Sequence, residues 1–121
     1  MKSLEVLITR AEQRTEDALQ ALGQAQRRCT QAEQQITTLS SYRHDYQTQL
    51  QSAMTKGLDT GRYRNYVSFL DSLDSAIEQQ QDTLARLQQQ LEQCQQQWSE
   101  EKRALDAYAT LAQRRAKPHQ T

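Results

Sequence analysis

Glycine occurs three times and proline once in 121 residues, so a fold built on many tight turns is excluded. Aromatic residues make up 6% and hydrophobic residues 36%. The latter falls well below the ~45–50% of ordinary globular domains, which excludes a thick core. No apolar run approaches the ~18–20 residues that span a bilayer. Charge of one sign is not in excess: 15 basic and 15 acidic residues cancel. The chain therefore has no global attraction to nucleic acid or to an acidic membrane. Two cysteines, Cys29 and Cys94, do not make a disulfide framework. Disorder is a poor reading too, because net charge is low and the apolar residues are regularly spaced.

The start, Met1 to Ile8, has too short an apolar run for a secretory signal, and Glu5 interrupts it. The expectation is a soluble, cytoplasmic protein whose thiols are reduced.

What the chain has is glutamine, 22 times, and a regular apolar spacing. Alternating steps of 4 and 3 from Leu4 reach Ile8, Ala11, Thr15, Ala18, Leu22, Ala25, Cys29, Ala32, Ile36, Leu39, Arg43, Tyr46, Leu50, Ala53 and Gly57. Thirteen of these sixteen are apolar or Tyr. Steps of 3 and 4 from Tyr63 reach Tyr66, Leu70, Leu73, Ile77, Gln80, Leu84, Leu87, Leu91, Cys94, Trp98, Glu101, Leu105, Tyr108, Ala112 and Arg115, again with thirteen that fit. A mean period of 3.5 over seven heptads is the pattern of a coiled coil.

The strong break lies at Met54 to Gly61. Gly57 suits a left-handed helix end, and Asp59 or Thr60 can cap the next start. Helix 1 is expected over about 3–56, a turn over 57–61 and helix 2 over about 62–116, ending before Pro118. At ~1.5 Å per residue each arm would run roughly 80–85 Å. The fold expected is all-α, one domain over 1–121, a long antiparallel two-helix coiled-coil hairpin. A dimer of straight helices competes, but two glycines within five residues at the midpoint count against it. The first seam is rich in Ala and the second in Leu, so small faces large. Trp98 is expected in the seam near Leu22. Gly23 weakens the helical pattern locally.

No catalytic constellation is present. His44 and His119 lack partners at metal-ligand spacing, and no phosphate-binding loop or nucleophile elbow occurs. The expectation is a non-enzyme with no cofactor and no metal. Cys29 and Cys94 both fall on the seam, where a small buried hydrophobe is wanted, and their separation in a hairpin exceeds disulfide reach. Arg114, Arg115 and Lys117 end the chain without an acid among them. They complement a helix C-terminus or form a basic end for an acidic partner. The triple-glutamine runs at 79–81, 88–90 and 95–97 read as neutral helix surface or as adaptable hydrogen-bonding groups.

Five of the seven aromatics lie in one stretch: Tyr42, Tyr46, Tyr63, Tyr66 and Phe69. A hairpin gathers them near its hinge. Tyr42 and Phe69 stand off the seam. Either they form an exposed docking site, or the seam widens there and buries them.

These aromatics sit in a recognisable frame. The run Ala25 to Ile36, then Leu39-x-x-Tyr42-x-x-x-Tyr46, resembles the flagellar export protein FliJ family. So do Gly61-Arg62-Tyr63-Arg64-Asn65-Tyr66-x-x-Phe69-x-x-x-Leu73 and Trp98-x-Glu100-x-Lys102-x-x-Leu105-x-Ala107-Tyr108. The resemblance covers about residues 4–115. It implies a cytosolic component of the flagellar type III export apparatus, at the cytoplasmic face of the inner membrane. Such a protein resembles the central stalk of rotary ATPases. Its partners would be the hexameric export ATPase FliI, the export gate protein FlhA and export chaperones. Neither nucleic acid nor direct membrane insertion is implied.

The resemblance places export-gate binding on Gln35, Leu39, Tyr42, Tyr46, Phe69, Leu73, Ala76 and Gln80, the last standing where some members carry His. It places the ATPase-facing end at both termini, with Arg114, Arg115 and Lys117. Pairing 35 with 80, 39 with 76, 42 with 73 and 46 with 69 keeps a constant index sum, so an antiparallel hairpin sets the eight as four level rungs. Leu39, Tyr46, Leu73 and Gln80 are also seam positions. The alternative function is a coiled-coil stalk or scaffold of a virulence-type secretion system or another assembly. Nucleic-acid binding is disfavoured because no arm carries a basic stripe.

Overall fold

The computed structural model describes residues 2–116. Helix α1 spans Lys2–Lys56 and helix α2 spans Thr60–Ala116. The described residues contain no strand. The two helices pack against each other as an all-α helical hairpin, as the matched seams require. Pro118 and Lys117 lie outside the described residues.

The turn is three residues long. Gly57 has φ +92° and its N–H donates to the carbonyl of Met54 at 3.2 Å. That left-handed conformation is nearly free for glycine and strained for other residues. Asp59 caps α2. Its side-chain Oδ1 accepts the Arg62 N–H at 2.8 Å, and its carbonyl accepts the Tyr63 N–H at 3.0 Å. This cap starts α2 at Thr60, two residues before the expected start. Gly61 therefore belongs to the first turn of α2 and not to the connection.

The chain forms two compact units, each built from part of both helices. One joins the segment ending at Arg27 to the segment beginning at Gln88. In it, Leu4, Ala11, Ala18 and Ala25 of α1 are buried, while Leu91, Cys94, Trp98, Leu105, Tyr108 and Ala112 of α2 are half-buried. The other is Arg28–Leu87, with Cys29, Ala32, Leu50, Leu70 and Leu73 buried. Every α1 seam position from Leu4 to Ala53 is buried or half-buried, as is every α2 position from Tyr66 to Ala112. Tyr63 departs from the seam and is 42% exposed.

Burial is shallow for a physical reason. Each seam has a single partner helix, so a side chain is covered from one direction only. Ala11, at 1% exposed, is the most enclosed of the buried seam residues. Most small seam residues of α1 sink fully, whereas the larger residues of α2, apart from Leu70 and Leu73, keep an edge in solvent. Trp98 is half-buried, with the Lys102 ammonium 5.2 Å from its ring centroid. Leu22 is half-buried as well. Both cysteines are free thiols, Cys29 buried and Cys94 partly exposed.

The polar seam residues are accommodated locally. The Thr15 hydroxyl donates to the Ala11 carbonyl at 2.7 Å, leaving its methyl for the seam. Glu101 accepts from Gln97 Nε2 at 2.8 Å. Arg43 crosses to α2: its Nε donates to Asp74 Oδ1, its Nη2 to Asp74 Oδ2 at 3.4 Å, and its Nη1 to Gln47 Oε1 at 3.0 Å.

Candidate functional site

All eight positions expected to bind the gate fall within Arg28–Leu87. The heptad frame decides how each is presented. Positions one residue before a seam residue flank the interface, so Tyr42 and Phe69 lie beside it and not inside it. Tyr42 is 56% exposed and Phe69 38% exposed, with ring centroids 6.1 Å apart. The two rings are therefore exposed and are not buried in a widened seam.

Phe69 also packs on Tyr46 at 4.5 Å, and Tyr46 on Tyr66 at 4.9 Å. The interplanar angles of these contacts run from 42° to 59°. Tilted rings at these separations are favoured by the ring quadrupoles. The result is a continuous aromatic chain, Tyr42–Phe69–Tyr46–Tyr66, with a half-buried inner end and an exposed outer end. Tyr46 and Phe69 meet as the level rung expected of them. Tyr42 shares Phe69.

The polar members extend the surface. Gln35, Leu39 and Gln80 line one groove together with Gln31, Gln34 and Thr38. Gln35 is exposed, Leu39 and Gln80 are half-buried, and Ala76 is half-buried. Leu73 is buried at 8% exposed, so its place is in the seam that holds the others up. The eight residues thus divide into exposed groups, half-buried shoulders and one core residue.

Sequence reasoning passed over the Arg43–Asp74 pair, which lies beside this surface. Arg43 was visible only as a misfit in the seam, and Asp74 as one of many surface acids. The signal that joins them is antiparallel height, which puts a partner for residue 43 near residue 74. The hydrogen bond and charge of Asp74, with the charge of Asp71, hold the Arg43 guanidinium above its ordinary pKa.

The basic end is less defined. Arg114 and Arg115 are exposed in the last turn of α2, where positive charge complements the helix carbonyls. Lys117 lies outside the described residues. Among the described residues no group of three His, Cys, Asp or Glu could hold a metal ion. No helix among them is long and apolar enough to cross a membrane.

Comparison with known proteins identifies the frame in which these residues sit. The family described as flagellar FliJ protein matches residues 1–121. A flagellar FliJ protein of Salmonella typhi is 36% identical over 112 residues, covering 93% of this chain and 76% of the relative. The flagellar FliJ protein of Escherichia coli (strain K12) is 36% identical over 106 residues, covering 88% and 72%. With a whole-chain family match and two such relatives, the chain belongs to the flagellar FliJ protein family.

Proposed function

We propose that this protein is a non-enzymatic, stalk-like component of the flagellar type III export apparatus. In this reading it promotes assembly and activity of the export ATPase FliI and links that ATPase to the export gate protein FlhA. It also takes part in handling export chaperones, and it works at the cytoplasmic face of the inner membrane. Family membership supports the coarse part, a component of flagellar protein export.

The observation that carries the finer part is the exposed Tyr42–Phe69 pair. Phe69 lays one side on Tyr46, but Tyr42 and the outer edge of Phe69 stand in water and add little to the coiled coil's own seam. Rigid aromatics with an apolar body are favoured as binding hot spots because little conformational entropy is lost when they dock. The groove of Gln31, Gln35, Leu39 and Gln80, in the same 28–87 unit, supplies neutral hydrogen-bonding groups. The gate is therefore assigned to the 28–87 surface and the ATPase to the terminal segments with Arg114 and Arg115. Co-purification with the cytoplasmic domain of FlhA and with FliI tests the assignment. Retention of FlhA by a protein lacking both rings would overturn it.

A further inference from the structure

We infer that the Arg43–Asp74 pair selects between two heptad-related registers of the 28–87 hairpin, one turning at Gly57 and the other at Gly61. The seam repeats every seven residues, so sliding α1 past α2 by one heptad returns seam to seam. Apolar burial is non-directional and distinguishes weakly between such registers. In an antiparallel pair, a slip of seven in the pairing moves the turn by about three to four residues. Gly61 stands four residues after Gly57.

In the observed register nothing requires glycine at 61. Gly57 alone among the described residues has a positive φ. Gly61 is helical, and a Cβ there would meet only Asp59 Oδ1, at an ordinary 3.5 Å. It stands in the first turn of α2, where its conformational freedom is not used. A second turn site is the conformation in which its freedom has a use.

Charge separates the two states. Moving the turn to Gly61 sets Arg43 against Gln81 in place of Asp74, and Tyr46 against Ala76 in place of Phe69. Apolar surface finds other apolar neighbours after the slip, but the guanidinium exchanges Asp74, the carboxylate it hydrogen-bonds, for the neutral amide of Gln81, while Glu78 takes the place of Asp71. A polar group at a seam position is a known way to fix coiled-coil register at some expense of stability. Asp59, as the cap of α2, favours the same register.

Phe69 is the chain's only phenylalanine, which gives a direct readout. Biosynthetic incorporation of 4-fluorophenylalanine places a single fluorine label beside Tyr42 and Tyr46, and its 19F spectrum counts registers. The wild-type protein should give one resonance. Arg43→Leu restores an apolar seam and should keep the helical circular dichroism and Tm, yet show a second resonance. Adding Gly61→Ala to Arg43→Leu should return the spectrum to one line, because alanine resists the second turn. One line in Arg43→Leu overturns the proposal. So does loss of helix in that variant, which would make the pair a support of stability and not of register. A second line that persists in the double variant overturns the role of Gly61.

Discussion

Arg43 of α1 holds Asp74 of α2 through two hydrogen bonds, although it occupies a position that the heptad pattern reserves for an apolar side chain. The side chains are 36% and 51% exposed. A seam between only two helices is thin enough for an arginine stem to cover it while the guanidinium reaches past its edge. The same thinness leaves Tyr42 and Phe69 in solvent. These features share one cause and lead to separate tests.

Solvent screens the Arg43–Asp74 pair, so its contribution should be small and sensitive to ionic strength. Asp74→Asn should lower Tm slightly in dilute buffer, and high salt should narrow the difference from wild type. The raised pKa of Arg43 sets the sign on the alkaline side. A raised pKa stabilises below the unfolded value and is lost only as pH rises through the folded one. The arginine should therefore contribute undiminished through the neutral range. Urea titrations at two salt concentrations check both points.

Docking on the gate should depend on the two outer rings. Tyr42→Ala and Phe69→Ala should each weaken binding to the FlhA cytoplasmic domain by about 1–2 kcal/mol or more, as for interface hot spots. Far-ultraviolet circular dichroism and stimulation of FliI should change little. Calorimetric titration supplies the first number. A variant that binds normally would remove that ring from the contact.

Core truncations should follow depth of burial and not residue size. Leu73→Ala, in the seam at 8% exposed, should cost about 2–5 kcal/mol. Trp98→Ala should cost less than about 3 kcal/mol, despite the larger side chain, because Trp98 is only half-buried. Chemical denaturation orders the two, and a reversed order would mean that the tryptophan is more enclosed than its exposed edge indicates.

The glycines should respond in opposite directions. Gly23 is helical, and an added Cβ would meet Arg27 Nη1 at 3.5 Å, an ordinary contact. Gly23→Ala should stabilise by about 0.5–1 kcal/mol. Gly57→Ala forces a left-handed alanine and should destabilise by about 1–2 kcal/mol. Thermal melts of both variants under one condition provide the check.

Removal of residues 112–121 should reduce stimulation of FliI while leaving FlhA binding largely intact. ATP hydrolysis assays beside pull-downs measure the two effects separately. Loss of gate binding with normal stimulation would reverse the assignment of the two ends.

The sequence by itself determined the helices and which face of each is covered, because a 3.5-residue apolar period leaves a helix pair one way to leave water. It also located the break, since Gly57 followed by Asp59 satisfies a helix end and a helix start in three residues. The family was legible for the same reason: the resemblance rests on the linear order of residues. Depth was decided by the tertiary structure. Spacing gives Leu73 and Trp98 equal seam positions, yet one is buried and the other half-exposed, because burial depends on what the partner helix places opposite. The state of Tyr42 and Phe69 was equally open until the helices met, and each flanks a seam too narrow to cover both rings. Arg43 and Asp74, 31 residues apart, became a pair only when antiparallel packing set their heights, since Coulomb attraction and hydrogen bonding act through space and not along the chain.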